Sequence, residues 1–459
     1  MRSSEVTRER QRIVSALTEA RLAAGISQQE LARRLGTQKP NISRLESGQI
    51  NISLDTMLKY ADALKKDISI DIREKKEAPV SRYSLRLYDE DLLTFSMEDA
   101  GLSGMKTQIL WVKEDRKSVF PLDLELTNDG IYSWLQKRSI PKNRAFVDEI
   151  LKTLGLSINN TKGIIDVCKG LSLNDSFWIV PEGFAGRFSE YNLYENRFSN
   201  ALSLVAYTGV GRSRPVNTTS PELTTHGMLR KAWRHIDGKG IYLFKGGTEG
   251  AANTGNEPYS EYYAAQIARQ MGLRAVEYGL EQWKGILAST CKLFTDIDTS
   301  YVPIGRIVKT GGIQACLDYY AGISDQAAEE LRSMLVFDAV IYNEDRHFGN
   351  FGVLRDNRTG SVLGAAPIFD NGLSLFNYAM QDDMNHLDEY ARTRANPYGI
   401  PYETVCREVM GNKQRAQLHG LINFRFTRHP AYNWPEERLK PIEEHIQWRV
   451  RELLALPRS

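Results

Sequence analysis

Three polar side chains in the last third of the chain have the types and spacing that phosphoryl transfer needs. Asp345 and Asn350 lie five residues apart after an apolar run that ends at Tyr342, and Asp370 follows a further apolar run, 367–369. In enzymes with this chemistry, one aspartate takes the proton of the attacking hydroxyl, while an asparagine and a second aspartate bind Mg²⁺. The pattern predicts Asp345 as the catalytic base and Asn350 and Asp370 as metal ligands. A capped turn after a buried helix is the alternative, and it explains Asp345 alone.

A lysine at the end of an apolar strand predicts a contact with nucleotide phosphates. Lys245 ends the run 240–244, and a strand-borne lysine that bridges the α- and β-phosphates belongs to the same chemistry. The next predicted helix begins at Ser260, so Glu261 is the expected carboxylate partner of this lysine. Glu257 is the alternative partner if the helix begins earlier.

The motif N-x-D-R-H-x-x-N followed by D-x-G resembles the HipA family of bacterial toxin kinases, over about residues 205–455. This resemblance implies a two-lobed protein-kinase-like body that uses ATP and Mg²⁺ to phosphorylate Ser or Thr. It also implies a phosphate-covering loop that contacts ATP, because Gly227 and Lys231 fit the family pattern S-x-x-G-x-x-x-K. Thr224 stands where the family has an autophosphorylated serine, with Thr225 beside it, so both are candidate ATP-contacting and autophosphorylation sites.

Residues 291–304 have the apolar-then-polar pattern of a hinge between two lobes. Phe294 in this stretch is expected to flank the adenine of ATP, and packing in the core explains it equally well. Residues 81–200 carry no chemical motif, and their role stays open. The elements predicted there are strands near 83–87, 109–112 and 122–126 and a helix over 144–154.

The N-terminal residues have the pattern of short helices separated by turns. Ser27 and Glu30 form a predicted capping box at the start of one helix, Gly36 ends that helix, and Pro40 lies in the first turn of the next. Two short helices joined by such a turn are typical of a helix-turn-helix. The string S-Q-x-E-L-A-x-x-x-G followed by x-N-I-S-R-L-E-S-G resembles the Cro/repressor (XRE) family over about 60 residues.

This second resemblance implies operator DNA as a partner, read by a helix in the major groove. Base edges are expected to be contacted by Gln38, Asn41 and Arg44, and phosphates by Gln28, Thr37 and Lys39. The expected core is Ile42, Leu45, Leu54, Leu58 and Leu64. A small helical interaction module is the alternative. One such unit buries little DNA surface, so useful affinity implies a homodimer on a pseudo-palindromic site.

Length and charge bound the remaining possibilities. The chain has 459 residues, enough for about three domains. Its net charge is +2, but residues 1–76 carry 15 Lys and Arg against 10 Asp and Glu, which favours a nucleic-acid partner for this part alone. The first residues lack an apolar signal segment, and four widely spaced cysteines fit a reducing cytosol. We therefore expect a cytoplasmic protein without a membrane partner.

The predicted fold class is multidomain α+β. It comprises an all-α helix-turn-helix head, an α+β middle subdomain and a two-lobed kinase-like body with a helical large lobe. The predicted boundaries are 1–72 for the head, 73–80 for a linker, 81–204 for the middle subdomain, 205–304 for the small lobe and 305–459 for the large lobe.

The leading hypothesis is an ATP- and Mg²⁺-dependent protein-serine/threonine kinase fused to its own DNA-binding repressor, a single-chain relative of toxin–antitoxin pairs. Its protein substrate is unknown. One alternative is a transcriptional regulator whose kinase-like body binds nucleotide without catalysis. Another is transfer of phosphate to a small molecule or a lipid head group.

Overall fold

In a computed structural model of the chain, the described residues are 3–47, 50, 52–68, 80–99, 105–158, 160–211, 219–250 and 253–457. The chain divides into two compact units, residues 1–82 with 96–108 and residues 83–95 with 109–459. The predicted class, a helical head followed by a mixed α+β body, is confirmed. The predicted linker lies outside the described residues except for Val80, and the predicted domain boundaries stay predictions.

The head is built from short helices with the expected start and stop signals. Its helices are α1 (Ser3–Ala23), α2 (Gln28–Arg34), α3 (Lys39–Glu46) and α4 (Leu54–Ala63). At the start of α2 the Ser27 hydroxyl accepts a hydrogen bond from the Glu30 N–H at 3.1 Å, and Gly36 follows its end in the left-handed region. The Glu30 carboxylate does not close the capping box, because it pairs with Arg33 and Arg34.

Apolar side chains from these helices meet in one core. Its buried members are Leu17, Leu31, Ala32, Ile42, Leu45, Tyr60 and Leu64. The prediction that Leu54 and Leu58 belong to the core is wrong, since these side chains are 50% and 46% exposed. The buried residues of α4 are instead Tyr60 and Ala61.

The middle region mixes a sheet with short helices. Its elements are β1 (Ser81–Leu87), β2 (Glu90–Asp99), β3 (Met105–Val112), α5 (Asn128–Gln136), α6 (Val147–Thr153), α7 (Thr161–Cys168), β4 (Phe177–Pro181), α8 (Phe188–Tyr191) and α9 (Asn200–Thr208). The strands form a sheet of order β3-β2-β1-β4. The strand predicted near 122–126 is wrong, because this stretch forms turns. Helix α6 begins later than predicted, since Phe146 has a φ of +58° that a right-handed helix excludes.

A second sheet carries the predicted lysine. Its strands are β5 (Lys231–Ile236), β6 (Gly240–Gly246), β7 (Tyr278–Trp283) and β8 (Ile286–Lys292), in the order β5-β6-β8-β7, and helix α10 (Glu257–Gln270) packs against it. The turn between β7 and β8 has positive φ at both Lys284 and Gly285, which suits the twist of a tight hairpin. In the β5–β6 pair, Lys231 lies opposite Lys245.

The remaining residues form a helical region with a small sheet of order β11-β10-β9. Its elements are β9 (Thr299–Pro303), α11 (Ile304–Ile307), α12 (Gly312–Ile323), α13 (Asp325–Ile341), β10 (Gly352–Asp356), β11 (Val362–Ala365), α14 (Gln381–Asn385), α15 (Leu387–Arg392), α16 (Tyr402–Val409), α17 (Asn412–His419) and α18 (Glu436–Ala455). Helix α13 is buried throughout 333–341. Among the described residues, none of the helices has the length and apolar character that crossing a membrane requires.

Candidate functional site

The Lys245 ammonium lies between two carboxylates from different elements. Its Nζ donates to Glu261 Oε1 of α10 at 2.9 Å and to Asp370 Oδ1. Helix α10 begins at Glu257, earlier than predicted, yet Glu261 is the partner. Glu257 instead accepts hydrogen bonds from the backbone and the hydroxyl of Thr248. The contact between Lys245 and Glu261 expected from the sequence is therefore present.

Charge pairing, not burial, sets the protonation of this group. Burial by itself would lower the pKa of Lys245, but the charges of Asp370 and Glu261 outweigh it and raise that pKa above its ordinary value. Burial would likewise raise the pKa of Asp370, but Lys245 and then Lys231 bring it below its ordinary value. At neutral pH the site therefore holds an ammonium and an ionised Asp370 carboxylate in direct contact.

A buried arginine holds both neighbours of Asp370. Arg346 is fully buried, and its guanidinium donates to the Phe369 carbonyl and to Asn371 Oδ1 at 2.5 Å. Asp370 itself has a φ of +55°, a region that costs free energy for a residue other than glycine and persists only where its surroundings hold it. The Asp370 N–H donates to the Tyr278 hydroxyl at 3.1 Å. These contacts fix the backbone that presents the Asp370 carboxylate.

The same arginine reaches the loop that follows α13. Arg346 forms a buried ion pair with Asp338 of α13 at 3.0 Å and donates to the Asn350 carbonyl at 3.1 Å. Sequence reasoning missed this residue, although it stands inside the motif. The available signal was Asp338, because a carboxylate inside a buried helix needs a cation close to it. Arg346 thus ties the loop of Asp345 and Asn350 to the segment of Asp370.

Asp345 is half-buried at the open side of this loop. Its N–H donates to Asn343 Oδ1 at 3.0 Å, and its carbonyl accepts from Asn350 Nδ2 at 2.8 Å. Burial and secondly the negative charge of Asp370 raise the pKa of Asp345 above its ordinary value. The two carboxylates are therefore close enough to influence each other, and Asp345 is a stronger base than an isolated aspartate.

The oxygen donors near this loop suit a hard cation. The Asn350 amide nitrogen is occupied by Asp345, which leaves the amide oxygen as the atom available to a ligand. Mg²⁺ is commonly bound by one or two protein oxygens together with phosphate and water. Among the described residues, no group of three or more His, Cys, Asp or Glu side chains is arranged to hold a metal without such help. Asn350 and Asp370 thus fit Mg²⁺ that arrives with a nucleotide.

The predicted phosphate-covering loop, residues 224–231, lies beside the end of β6, and we call it the phosphate loop. Gly227 has a φ of +97°, and a Cβ there would lie 2.1 Å from Lys231 Nζ, so any larger residue would displace the lysine. Lys231 Nζ donates to the His226 carbonyl at 3.0 Å. Burial and then the charge of Lys245 lower the pKa of Lys231 to about 7.

The two threonines of the phosphate loop are engaged in hydrogen bonds. Thr224 is buried, and its hydroxyl donates to the Leu171 carbonyl at 2.8 Å. The Thr225 hydroxyl donates to the Pro221 carbonyl at 2.6 Å and accepts from Trp233 Nε1 at 3.1 Å. In this conformation neither hydroxyl is free to accept a phosphoryl group.

Phe294 belongs to an aromatic cluster next to the site. Its ring centroid lies 5.6 Å from that of Tyr301 and 5.5 Å from that of Phe369. The Tyr301 hydroxyl donates to the Gly349 carbonyl at 3.1 Å. The cluster therefore joins the strand β9 to the loop of Asp345, and Phe294 is half-buried in it.

In the head, the residues of α3 and its N-cap that are expected to contact DNA lie on the open side of the helix. Gln38, Lys39 and Arg44 are exposed. Asn41 donates to the Thr37 hydroxyl at 3.0 Å and accepts from Arg44 at 2.6 Å. These hydrogen bonds orient the side chains on one polar face of α3.

Gln28 lies apart from this face and takes part in a buried network. It donates at 2.8 Å to the Glu46 carboxylate, which also accepts from Arg21 and Tyr60. Its expected phosphate contact would require the amide to leave this network.

Comparison with known proteins decides the nature of the head. Residues 17–70 match the family described as Helix-turn-helix. The head is a helix-turn-helix domain. A curated HTH-type transcriptional regulator of Haemophilus influenzae is 40% identical over 58 residues, 13% of this chain and 59% of that protein.

The body resembles known kinases at a greater distance. The Serine/threonine-protein kinase CtkA of Helicobacter pylori is 29% identical over 199 residues, 40% of this chain and 51% of that protein. The chain thus spans about half the length of the curated relatives it matches.

Solved structures give two further distant similarities. The crystal structure of the Helicobacter pylori proinflammatory kinase CtkA aligns with a TM-score of 0.39 and 18% identity, over 49% of this chain and 92% of that one. The Shewanella oneidensis HipA, HipB and operator DNA complex aligns with a TM-score of 0.47 and 12% identity, over 82% of this chain and 100% of that one.

Proposed function

We propose that the body is an ATP- and Mg²⁺-dependent Ser/Thr protein kinase of the HipA type. The observation that carries this proposal is the Lys245 ammonium held between Glu261 and Asp370. A lysine paired with a helix carboxylate beside a metal-binding aspartate is the arrangement that positions ATP in protein kinases. The similarity to the kinase of Helicobacter pylori supports the same reading.

Each residue has a definite task in this proposal. Lys245 and the phosphate loop hold the phosphates, and Phe294 lies beside the adenine. Asn350 and Asp370 would hold Mg²⁺, which supplies charge neutralisation at the β- and γ-phosphates. The acceptor hydroxyl oxygen bonds to the γ-phosphorus while the bond from that phosphorus to the β–γ bridging oxygen breaks, and ADP leaves. The hydroxyl proton passes to Asp345, whose raised pKa favours its uptake.

We assign the helix-turn-helix domain to operator DNA, so that one chain combines a repressor with a kinase. The bases would be contacted by Gln38, Asn41 and Arg44, and the phosphates by Thr37, Lys39 and, after it leaves Glu46, Gln28. Repression of the chain's own promoter, a homodimer on the operator and a cytoplasmic location stay predictions. Autophosphorylation at Thr224 or Thr225 also stays a prediction, and it requires the phosphate loop to move.

One labelling experiment separates the proposed kinase from the alternatives. The purified chain is incubated with γ-labelled ATP, Mg²⁺ and cell lysate, and the products are separated into proteins, lipids and small molecules. Label in protein supports the proposal. Label found only in lipids or small molecules would show that the enzyme is a kinase of another substrate class and not a protein kinase. ATP binding without any transfer of label would support the alternative in which the body only senses nucleotide.

We expect nucleotide binding to take up a proton at Lys231. The pKa of Lys231 is about 7 in the free protein, so at pH 8 the side chain is mostly neutral, and the negative triphosphate favours its charged form. Calorimetry of Mg-ATP binding in two buffers of different ionisation enthalpy should show uptake approaching about one proton at pH 8 and much less at pH 6.

The matched control for this measurement is Lys231→Arg, which keeps the positive charge but does not titrate. It should bind Mg-ATP with little proton uptake at either pH. Equal uptake by the parental chain and this variant would assign the proton to another group.

We expect Arg44→Ala to weaken operator binding about tenfold to a hundredfold, because a side chain that reads a base edge contributes about 1–3 kcal/mol. The operator is first selected by the protein from genomic fragments, and affinity is then measured by fluorescence anisotropy at fixed salt. The control is Lys59→Ala, which removes an exposed cation from α4. Equal losses in both variants would mean that Arg44 contributes only charge.

A further inference from the structure

The middle region holds the phosphate loop from outside the sheet that carries Lys245. The segment between α5 and α6, residues 137–145, makes hydrogen bonds along the length of the loop, and we call it the clamp segment. The His226 Nε2–H donates to the Lys137 carbonyl at 2.8 Å. The Ala145 N–H donates to the Met228 carbonyl at 2.9 Å. Both bonds reach the exposed part of the loop, next to Gly227.

One guanidinium in the clamp segment binds both ends of the phosphate loop. Arg144 Nη1 donates to the Thr225 carbonyl at 3.3 Å, and Nη2 donates to the Lys231 carbonyl at 3.1 Å. The same guanidinium donates to the carbonyl and the carboxylate of Glu222, just before the loop. Both side chains are fully buried. The planar fork of arginine makes these separate bonds possible, and the single ammonium of lysine cannot reproduce them.

The Glu222 carboxylate extends this arrangement into the sheet. Its Oε1 accepts from the Trp233 N–H of β5 at 2.8 Å. The hydrogen bonds from Arg144 to Glu222 and from Trp233 to Glu222 therefore link the clamp segment to the strand that begins with Lys231. A displacement of Arg144 would remove a hydrogen bond from each end of the loop and leave the buried Glu222 carboxylate without its cation.

We infer that the clamp segment fixes the phosphate loop in its ATP-binding position and that Arg144 is its positioning residue. This inference gives the otherwise unexplained middle region a role, and its effect on ATP rests on the proposed function. Because the clamp segment lies outside the sheet of Lys245, a partner or a modification that displaces it would weaken ATP binding without touching Lys245, Asp345 or Asp370.

The test compares two buried arginines, one in the clamp segment and one outside it. Arg144→Lys keeps the positive charge beside Glu222 but loses bonds to the loop ends. Arg449→Lys is the matched control, since Arg449 of α18 is equally buried, pairs with Glu403 and donates to the Ala339 carbonyl. Hydrogen–deuterium exchange of the backbone amides of residues 224–231 is measured in the full chain without nucleotide.

We expect Arg144→Lys to speed exchange in the phosphate loop about tenfold or more, as the loss of one bond to a charged donor predicts, while Arg449→Lys leaves it near the parental rate. His226→Ala, which changes only an exposed side chain, should speed exchange in the same segment. Unchanged loop exchange in both Arg144→Lys and His226→Ala would overturn the inference. So would equal acceleration in Arg449→Lys.

Mg-ATP binding then separates this inference from the proposed function. Arg144→Lys should raise the Kd and the KM for ATP about tenfold and change kcat less, because it frees the loop without removing a reacting group. If the parental chain bound no nucleotide, the proposed function would fail. Hydrogen–deuterium exchange of the phosphate loop would still test whether the clamp segment fixes the loop. If it bound nucleotide and Arg144→Lys bound equally well despite a freed loop, the role of the clamp in ATP binding would be refuted.

Discussion

Replacing Asp345 by alanine should lower phosphotransfer about a hundredfold to ten-thousandfold, the range that a positioned general base contributes. The acceptor hydroxyl then lacks the carboxylate that orients it and takes its proton. The Asn350 amide still donates to the backbone carbonyl of residue 345, because that bond does not involve the missing side chain. Initial rates with γ-labelled ATP and lysate protein measure the effect.

The control for this loss is the neighbouring carboxylate. Glu344→Ala removes the same charge from the same loop, but Glu344 lies 3.3 Å from Arg394 and makes no bond to Asn350. It should retain most of the activity, and both variants should bind operator DNA like the parental chain. Label transfer by Asp345→Ala at the parental rate would refute the assignment of the base.

Replacing Arg346 by methionine should lower the free energy of unfolding of the body by about 3–5 kcal/mol and abolish phosphotransfer. The stability loss follows because Asp338 is left buried without its cation. The activity loss follows because the Phe369 carbonyl and the Asn371 side chain, on either side of Asp370, and the Asn350 carbonyl lose their common donor. Urea denaturation followed by tryptophan fluorescence measures the first effect, and labelling measures the second.

A double variant separates these two effects. Arg346→Met with Asp338→Leu removes both buried charges and should recover much of the stability but none of the activity. Arg355→Met is a further control, because Arg355 is equally buried and donates to the carbonyls of Gly360 and Ser118. Arg355→Met should lower the free energy of unfolding by less than Arg346→Met and should leave phosphotransfer largely intact. Recovery of activity in the double variant would show that Arg346 acts only through stability.

The parts of the site that could be predicted from the sequence are those that a short stretch of neighbouring residues determines. An apolar strand ending at Lys245 and a helix carrying Glu261 are each readable from a few neighbouring residues, and the sheet brings them to 2.9 Å. The start of α2 was predicted correctly from its capping residue, Ser27. The prediction of the buried face of α4 was wrong. Leu54 and Leu58 have the spacing of a core face, but Tyr60 and Ala61 are the residues that are buried.

The parts that sequence missed depend on partners far apart in the chain. Arg346 joins Asp338, 8 residues before it, to Asn371, 25 residues after it, and only the buried carboxylate of Asp338 hinted at this contact. Arg144 and Glu222 are 78 residues apart, and neither lies in a motif. Such pairs are fixed by tertiary packing, so the spacing of residues along the chain does not identify the partners.

The facing pair of Lys231 and Lys245 limits how this protein can change during evolution. Their pairing on β5 and β6 puts both ammonium groups at one end of the hairpin. Side chains alternate between the faces of a strand, so a one-residue slip of either strand would turn one lysine to the opposite face. Insertions in the connecting turn at 237–239 are therefore compatible with the proposed nucleotide binding only when they bulge outward and leave the strand pairing unchanged.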